Sequence, residues 1–316
     1  MLLAGIAGGQ VPGGAPPERV HRIGIVSPSA PQFVSALRQA LRTLGYVEGR
    51  NLVIEMRDAQ SRNERLPQLV EELVGLNVDV IMSGSTVGVL AAKRVTTTVP
   101  IVFATVFDPV GAGIVPNLAH PGGNVTGAAI GVSGEGFGGK WVQLLRDTLP
   151  SLSHLTVLWS STNRSSPTYV REVQAAARAM NVSVDVLDAG NDARLDRALA
   201  AITAGPGRAV IVTPDPYFHA HRVQLAQFFE NRRVPAIYFG KLFVDAGGLM
   251  SYGASFEDSW RKAATYVDRI LKGARPGDLP IEQPTTFELV VNPAAARKIG
   301  VTIPPLVLQQ ADHIVR

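Results

Sequence analysis

The sequence predicts an α/β protein made of two doubly wound parallel-sheet lobes that are joined by a hinge of three crossovers. Strand-like and helix-like segments alternate from residue 21 to residue 240, a pattern typical of parallel sheets with helices on both faces. The second half of this run repeats the order of the first at a nearly constant offset. Further strand and helix segments then follow and break the symmetry, so we expect the chain to pass between the lobes three times.

The first half supplies four strand patterns and three helix patterns. The strands are predicted at residues 21–27, 51–56, 78–84 and 100–106, and the helices at 32–45, 65–77 and 86–95. The strands are short apolar runs with many β-branched residues. In the first helix, Phe33, Leu37 and Leu41 recur at helical spacing on one face, and Gly45 follows as a stop signal.

The second half repeats this order of elements. Its strands are predicted at residues 154–160, 182–189, 208–214 and 235–240, and its helices at 168–181, 193–202 and 218–231. Matched positions are separated by 132 residues for Ile23 and Leu155, 131 for Val53 and Val184, 130 for Asp79 and Ala209, and 135 for Pro100 and Pro235. We interpret this as a structural duplication, because the two halves share a pattern rather than an identical sequence.

The C-terminal quarter of the chain sets the predicted lobe boundaries. Its segments are a strand at 247–253, a helix at 256–273, an extended segment at 284–292 and a helix at 293–300. We expect one lobe to hold residues 21–126 and 244–283, and the other to hold residues 127–243 and 284–316. The predicted hinge residues are Gly127, Gly131, Gly240 and Thr285.

Composition excludes several classes of function. The chain has 316 residues, of which 46% are hydrophobic and 18% charged, so it is globular rather than disordered. The net charge of +4 is spread along the chain without a basic block, which does not favour nucleic-acid binding. Because there is no cysteine, disulfides, thiolate metal sites and cysteine nucleophiles are excluded. We expect no metal and no cofactor.

The N-terminus does not belong to the predicted fold. Residues 1–17 are apolar, rich in small residues and uncharged. They resemble the end of a secretory signal peptide that lacks its basic start, and the alternative is a floppy cytosolic leader. We therefore treat residues 1–20 as a signal-peptide remnant or a disordered leader.

Polar and aromatic side chains gather where the predicted strands end. Ligands of open α/β sheets bind at the carboxyl ends of the strands. The candidate ligand-binding residues at these ends are Ser27, Ser29, Ser85, Thr86, Phe107, Asp108, Asn163, Asp215, Tyr217 and Phe239. Ser85 and Thr86 open a predicted helix, whose N–H groups attract an anion such as a carboxylate. The alternative is that the hydroxyl residues only cap helices and that the rings belong to the core.

A glycine motif in the middle of the chain resembles a dinucleotide-binding turn. Gly134, Gly136 and Gly139 have the spacing G-x-G-x-x-G. A dinucleotide site also needs an acidic residue at the end of the next strand, and no Asp or Glu lies between Asp147 and Glu172. We therefore interpret these glycines as flexible chain in the first crossover.

Two further patterns suggest an enzyme without completing one. The segment at residues 84–88 reads GSTVG, which has the shape of a nucleophile elbow but places Thr86 where a hydrolase has serine. His219 and His221 lie two residues apart on a predicted helix, so they point in different directions and do not form a metal pair. Neither pattern supports catalysis, and we predict that the protein is not an enzyme.

Several blocks in order resemble one family. They include RIGIVSPSAP at residues 22–31, DPVGAGIVPNLAHPGGNVTG at 108–127, GGLMSYG at 247–253 and the closing ADHIVR. The chain is similar to substrate-binding proteins of ABC importers, in the group whose better-known members bind aromatic amino acids such as tryptophan. The resemblance covers residues 20–316 and implies the type I periplasmic binding protein fold, with one ligand between two lobes.

The resemblance also implies a mode of action and a location. It implies a periplasmic receptor that closes on a small polar ligand and delivers it to a membrane permease, but ligand identity does not carry over from the family. From the strand-end residues we expect first an amino acid or aromatic carboxylate, and the alternative is a neutral urea- or sugar-like ligand. The resemblance places ligand contacts on the loops after the first, third and fourth strands. We expect a monomer that binds no nucleic acid. The alternative is a cytosolic or periplasmic ligand-sensing module of the same fold.

Overall fold

The computed structural model describes residues 19–29, 33–131 and 137–315, and these form two α/β lobes. The predicted fold class is confirmed. Within these three ranges, no helix is both long and apolar enough to cross a membrane. The predicted leader, apart from residues 19 and 20, lies outside the described residues, as do Gly134 and Gly136 of the glycine motif.

The first lobe is built on a five-stranded parallel sheet in the order β2-β1-β3-β4-β5. Its strands are β1 (His21–Ser27), β2 (Leu52–Asp58), β3 (Val80–Ser83), β4 (Ile101–Phe107) and β5 (Val125–Gly131). The helices between them are α1 (Val34–Thr43), α2 (Leu66–Gly75) and α3 (Thr86–Val95). Strands β4 and β5 are buried along their whole length, as expected for parallel strands covered on both faces.

The second lobe is built on a seven-stranded sheet in the order β12-β11-β10-β9-β8-β6-β7. Its strands are β6 (His154–Trp159), β7 (Ser183–Asp188), β8 (Arg208–Val212), β9 (Ala236–Tyr238), β10 (Met250–Ala254), β11 (Phe287–Val291) and β12 (His313–Ile314). Its first six helices are α4 (Phe137–Thr148), α5 (Ser166–Ala179), α6 (Asp192–Ala201), α7 (Pro216–Ala220), α8 (Arg222–Arg232) and α9 (Lys241–Asp245). All neighbours are parallel except β10 and β11, which are antiparallel.

The remaining helices show where the chain changes lobes. Helix α10 (Phe256–Leu271) packs on the first lobe, where Trp260 joins the core cluster of Ile23 and Leu37. Helices α11 (Pro293–Ile299) and α12 (Pro305–Gln310) belong to the second lobe, where Ile299 and Val307 join its core cluster. The chain therefore passes between lobes after β5, after β10 and before β11.

These crossovers correct two of the predicted boundaries. Strand β10 pairs in parallel with β9, with Met250 beside Ile237, so residues 244–254 belong to the second lobe and not the first. Strand β5 pairs with β4 along its length, so the first lobe continues to Gly131 instead of ending at residue 126. Both errors arise because the strand pattern is local, whereas the choice of sheet depends on the direction of the crossover that follows.

The predicted hinge residues have different positions. Gly240 precedes α9 inside the second lobe, so it lies on no crossover and the prediction for it is wrong. Gly127 lies within β5, where an added Cβ would come 2.1 Å from the Phe103 carbonyl oxygen, so its glycine serves strand packing. Gly131 ends β5 at the first crossover, and Thr285 lies between β11 and Glu282, which pairs with β5. A hinge role for Gly131 and Thr285 stays a prediction.

Aromatic rings surround the crossovers. Phe137 starts α4, Tyr252 is the middle residue of β10, and Phe287 starts β11, so the three rings belong to elements that adjoin the crossovers. The centroid of the Phe137 ring is 4.8 Å from that of Phe287 and 6.2 Å from that of Tyr252. Phe107 from β4 joins them at 6.0 Å from Phe137. We call Phe107, Phe137, Tyr252 and Phe287 the pivot cluster.

Candidate functional site

A cleft lies between the lobes at the carboxyl ends of both sheets. Its cavity volume is about 90 Å³, which is room for several waters and more than a packing defect. The first lobe lines it with Ser27, Pro28, Ser29, Phe33, Gly84, Ser85, Thr86, Thr105, Phe107, Ile130, Phe256 and Trp260. The second lobe lines it with Asn163, Ser165, Tyr169, Pro214, Asp215, Pro216, His219 and Phe239.

Most of the predicted ligand-binding residues reach this cleft. Those that line it are Ser27, Ser29, Ser85, Thr86, Phe107, Asn163, Asp215 and Phe239. They come from six separate loops, which the topology brings together because the carboxyl ends of parallel strands share one edge of each sheet. Two predicted residues, Asp108 and Tyr217, do not line it. Ligand contact by the others stays a prediction.

Asp108 supports the turn after β4 instead of the cleft. Its backbone has the left-handed angle φ of 45°, and its carboxylate accepts a hydrogen bond from the Gly111 N–H at 3.0 Å. An added Cβ at Gly111 would come 2.1 Å from Asp108 Oδ2, so the carboxylate sits tightly against this turn. The prediction of Asp108 as a lining residue is therefore wrong.

Tyr217 points away from the cleft towards α6. Its hydroxyl donates to Asp192 Oδ1 at 2.6 Å, and its ring lies 4.1 Å from the His221 ring. Burial, with Asp192 as hydrogen-bond partner, raises the pKa of the Tyr217 hydroxyl well above its ordinary value. Tyr217 therefore does not supply the expected stacking surface of the cleft, because the start of α7 directs its buried side chain towards Asp192.

Sequence reasoning missed the aromatic residues that line the cleft from helices. Phe256 and Trp260 lie one turn apart at the start of α10, Phe33 directly precedes α1, and Tyr169 and His219 lie on α5 and α7. The search of strand ends passed over them because they follow those ends by several residues. One signal was available, since Phe256 and Trp260 share one face of a strongly amphipathic helix pattern.

The rings of Phe33, His219, Phe239 and Phe256 form an aromatic wall that spans both lobes. Phe33 of the first lobe lies 5.8 Å from His219 and 5.7 Å from Phe256, measured between ring centroids. Phe239 of the second lobe lies 5.7 Å from Phe256, also of the first. Burial, and to a smaller extent the charge of Arg222, lowers the pKa of His219 to about 4, so its ring is neutral at pH 7. The wall therefore offers flat, uncharged faces to a ligand ring.

Asp215 supplies a buried carboxylate on the opposite lobe from α3. It is 7% exposed, accepts from the Tyr217 N–H at 2.8 Å, and accepts from Asn163 Nδ2 at 3.1 Å. Burial raises its pKa to about 6 in spite of these hydrogen bonds. A carboxylate held this way is poorly solvated, so it gains from a cationic partner such as an ammonium group.

The first turn of α3 faces the cleft at Ser85 and Thr86. Ser85 is the N-cap, and its hydroxyl oxygen accepts from the Gly88 N–H at 3.1 Å. The N-terminal end of a helix carries a partial positive charge and favours an anion. The cleft thus places a region that attracts anions on the first lobe and a region that attracts cations on the second. In the parts of the chain that the structure covers, no group of three acidic or histidine side chains could hold a metal ion.

Comparison with known proteins agrees with this architecture. A curated relative, the tyrosine-binding protein of Clostridioides difficile strain R20291, is 24% identical over 265 residues, which cover 84% of this chain and 75% of that protein. A conserved domain protein from Vibrio cholerae is similar in structure, with a TM-score of 0.87 and 26% identity over 94% of this chain and all of the other. An ABC domain from Streptococcus pneumoniae in complex with L-Trp has a TM-score of 0.85 and 23% identity, with the same coverage.

The match to a family model extends over nearly the whole described fold. It runs from residue 22 to residue 315 and therefore includes both lobes and all three crossovers. Proteins of this family are ligand receptors rather than enzymes, they work with a membrane permease, and they typically act outside the cytoplasm. The chain belongs to the ABC transporter substrate binding protein family.

Proposed function

We propose that this protein captures an aromatic amino acid, with tryptophan and tyrosine as the first candidates, and closes on it for delivery to a permease. The observation that carries the proposal is the pairing of the aromatic wall with the buried carboxylate of Asp215 in one cleft. The relatives named above as tyrosine-binding and as an L-Trp complex support the same class of ligand.

Each part of an amino acid has a matching region in the cleft. The ligand carboxylate sits at the start of α3 beside Ser85, where the helix end stabilises negative charge. The ligand ammonium pairs with Asp215 and gives that buried carboxylate a cationic partner. The ligand ring packs against the wall that includes Phe33, His219 and Phe256. Because these regions come from both lobes, only the closed form contacts the whole ligand, and binding favours closure.

The location and assembly state are part of the same proposal. The protein acts in the periplasm after export, supported by its family and by the apolar start of residues 1–17. It works as a monomer, since a single chain supplies both halves of the cleft. It binds no nucleic acid, since its net charge of +4 is dispersed. Sedimentation at micromolar concentration and a filter-binding assay with mixed oligonucleotides test the last two points.

Calorimetric titration of stripped protein tests the ligand class. The protein is unfolded, dialysed and refolded to remove bound ligand, and is then titrated with tryptophan, tyrosine, phenylalanine, leucine, indole-3-propionate, glucose and inositol. We expect the tightest binding for an aromatic amino acid. In an unfolding measurement, the same ligand at 100 times its Kd should add about 2.7 kcal/mol to the free energy of unfolding. Tight binding of a sugar or inositol with no response to any amino acid would overturn the proposal.

A further inference from the structure

A buried serine joins the two lobes directly. Ser165 precedes α5 in the second lobe, and its hydroxyl donates to the carbonyl oxygen of Phe107 in the first lobe at 2.9 Å. The same hydroxyl lies 3.1 Å from the hydroxyl of Thr86, which also belongs to the first lobe. Ser165 is 3% exposed, so water does not compete strongly for these contacts.

The second lobe itself holds Ser165 in place. The Ser165 N–H donates to Asn163 Oδ1 at 3.1 Å, and Asn163 Nδ2 donates to Asp215 Oδ2 at the same distance. Ser165 is thus oriented before any contact with the first lobe is made.

The donors and acceptors of this contact satisfy one another without a ligand. A carbonyl oxygen only accepts, so the Ser165 proton goes to Phe107. The hydrogen bond between the two hydroxyls then uses the Thr86 proton and a lone pair of Ser165. All of these atoms belong to the protein, so the two hydrogen bonds between the lobes need no ligand.

We infer that Ser165 is a latch that stabilises the closed form independently of which ligand is bound. Opening the cleft separates Ser165 from Phe107 and Thr86 and breaks both hydrogen bonds. The latch therefore sets the population of the closed form, and that population multiplies the intrinsic affinity for every ligand by the same factor. The predicted change in ligand affinity rests on the proposed function, whereas the predicted change in the distance between the ligand-free lobes does not.

Ser165→Ala and Ser166→Ala form a matched pair for the test. Ser166 is the next residue, is fully buried, and has no hydrogen-bond partner for its hydroxyl among the residues that the structure covers. Because the chain has no cysteine, Gln68→Cys and Arg197→Cys place two spin labels on exposed positions of α2 and α6, one on each lobe. Electron–electron resonance then reports the distance between lobes without ligand.

The latch predicts a shift in the ligand-free distances and a uniform loss of affinity. We expect Ser165→Ala to increase the population of ligand-free molecules with a long distance between the lobes. We also expect it to lower the affinity for every ligand that binds by a common factor of about ten. Ser166→Ala should match the wild-type protein. A shifted distance distribution in a protein that binds none of the amino acids would keep the latch and reject the proposed ligand class.

Two results would overturn the latch. One is an unchanged distance distribution in Ser165→Ala. The other is a loss of affinity confined to one ligand, which would mean that Ser165 contacts that ligand and does not act on closure.

Discussion

Asp215 is a buried carboxylate of the cleft, and its protonation affects the stability of the protein. Its pKa is raised by burial from 3.8 to about 6, so between these values the folded chain keeps a proton that the unfolded chain has released. The contribution of this group to stability is therefore present below pH 4 and is lost as pH rises through 6.

We expect this loss to amount to about 3 kcal/mol in the ligand-free protein. Urea unfolding of wild type and Asp215→Asn between pH 4 and pH 7 measures it as the difference between the two pH profiles. The asparagine variant keeps the acceptor that caps α7 but cannot ionise. Parallel profiles for the two proteins would show that the carboxylate does not titrate in this range.

Asp215 should also determine how the ligand amino group is recognised. We expect Asp215→Asn to lower the affinity for an aromatic amino acid about 10- to 100-fold, because a charge-assisted hydrogen bond is lost. Binding to the wild type should strengthen as pH rises through 6, since the ionised carboxylate is the form that attracts ammonium. Asp192→Asn, which keeps an acceptor for the Tyr217 hydroxyl, is the control. Titration with indole-3-propionate, which has no amino group, should show no loss in Asp215→Asn.

At the residue scale, the strand-end rule placed eight of its ten predicted residues in the cleft lining but did not give the direction of every side chain. Ser85 and Asp215 were found because they lie in loops that follow parallel strands, β3 and β8. Asp108 and Tyr217 also lie after strands, yet a left-handed turn and a helix start direct them elsewhere. Such local angles depend on the packing of the loop, which a strand pattern does not contain.

Among the elements, helix α4 contains two adjacent glycines, Gly138 and Gly139, that differ in how closely α5 approaches them. Gly138 allows α5 to approach closely, since an added Cβ would come 2.6 Å from the Val173 nitrogen. Gly139, the last glycine of the G-x-G-x-x-G motif, has its nearest neighbour at 3.8 Å, at Ala176. Part of this glycine-rich segment therefore serves helix packing rather than flexible crossover chain.

The two adjacent glycines predict opposite effects of the same substitution. Gly138→Ala should destabilise the protein by about 1–3 kcal/mol, because the α5 backbone must move away. Gly139→Ala should leave stability unchanged or raise it by up to about 1 kcal/mol through better helix propensity. Thermal unfolding of both variants measures the pair. Equal effects would contradict the close contact between α4 and α5.

The elements themselves were more predictable than their assignment to lobes. Strand β10 and helix α10 were expected as neighbours in one lobe, and the chain instead changes lobes between them. Their hydrophobic patterns fix the type of each element, because burial of one face depends on local spacing. The chain changes lobes at Ser255, the single residue between these two elements, and the local hydrophobic pattern does not predict the direction that it takes there.

At the scale of the whole molecule, the two lobes share a core. Phe107 and Ile130 belong to strands of the first lobe but pack in the main core cluster of the second, where Phe107 stacks on Tyr169 with ring centroids 4.1 Å apart. Unfolding one lobe would expose part of the core of the other.

We therefore expect a single cooperative unfolding transition. Differential scanning calorimetry of the ligand-free protein should give a calorimetric enthalpy equal to the van't Hoff enthalpy. Two resolved peaks would mean that the shared contacts are too weak to couple the lobes.

The pivot cluster has a consequence for the rate at which the two lobes close. Its four rings touch through edge-to-face and tilted contacts, which tolerate small rotations because dispersion and apolar burial have little directional preference. We expect the rings of Phe137, Tyr252 and Phe287 to stay in contact as the lobes rotate, so that the hinge adds little to the activation barrier. The rate of closing would then be nearly the same for all ligands, and the lifetime of the complex would distinguish one ligand from another.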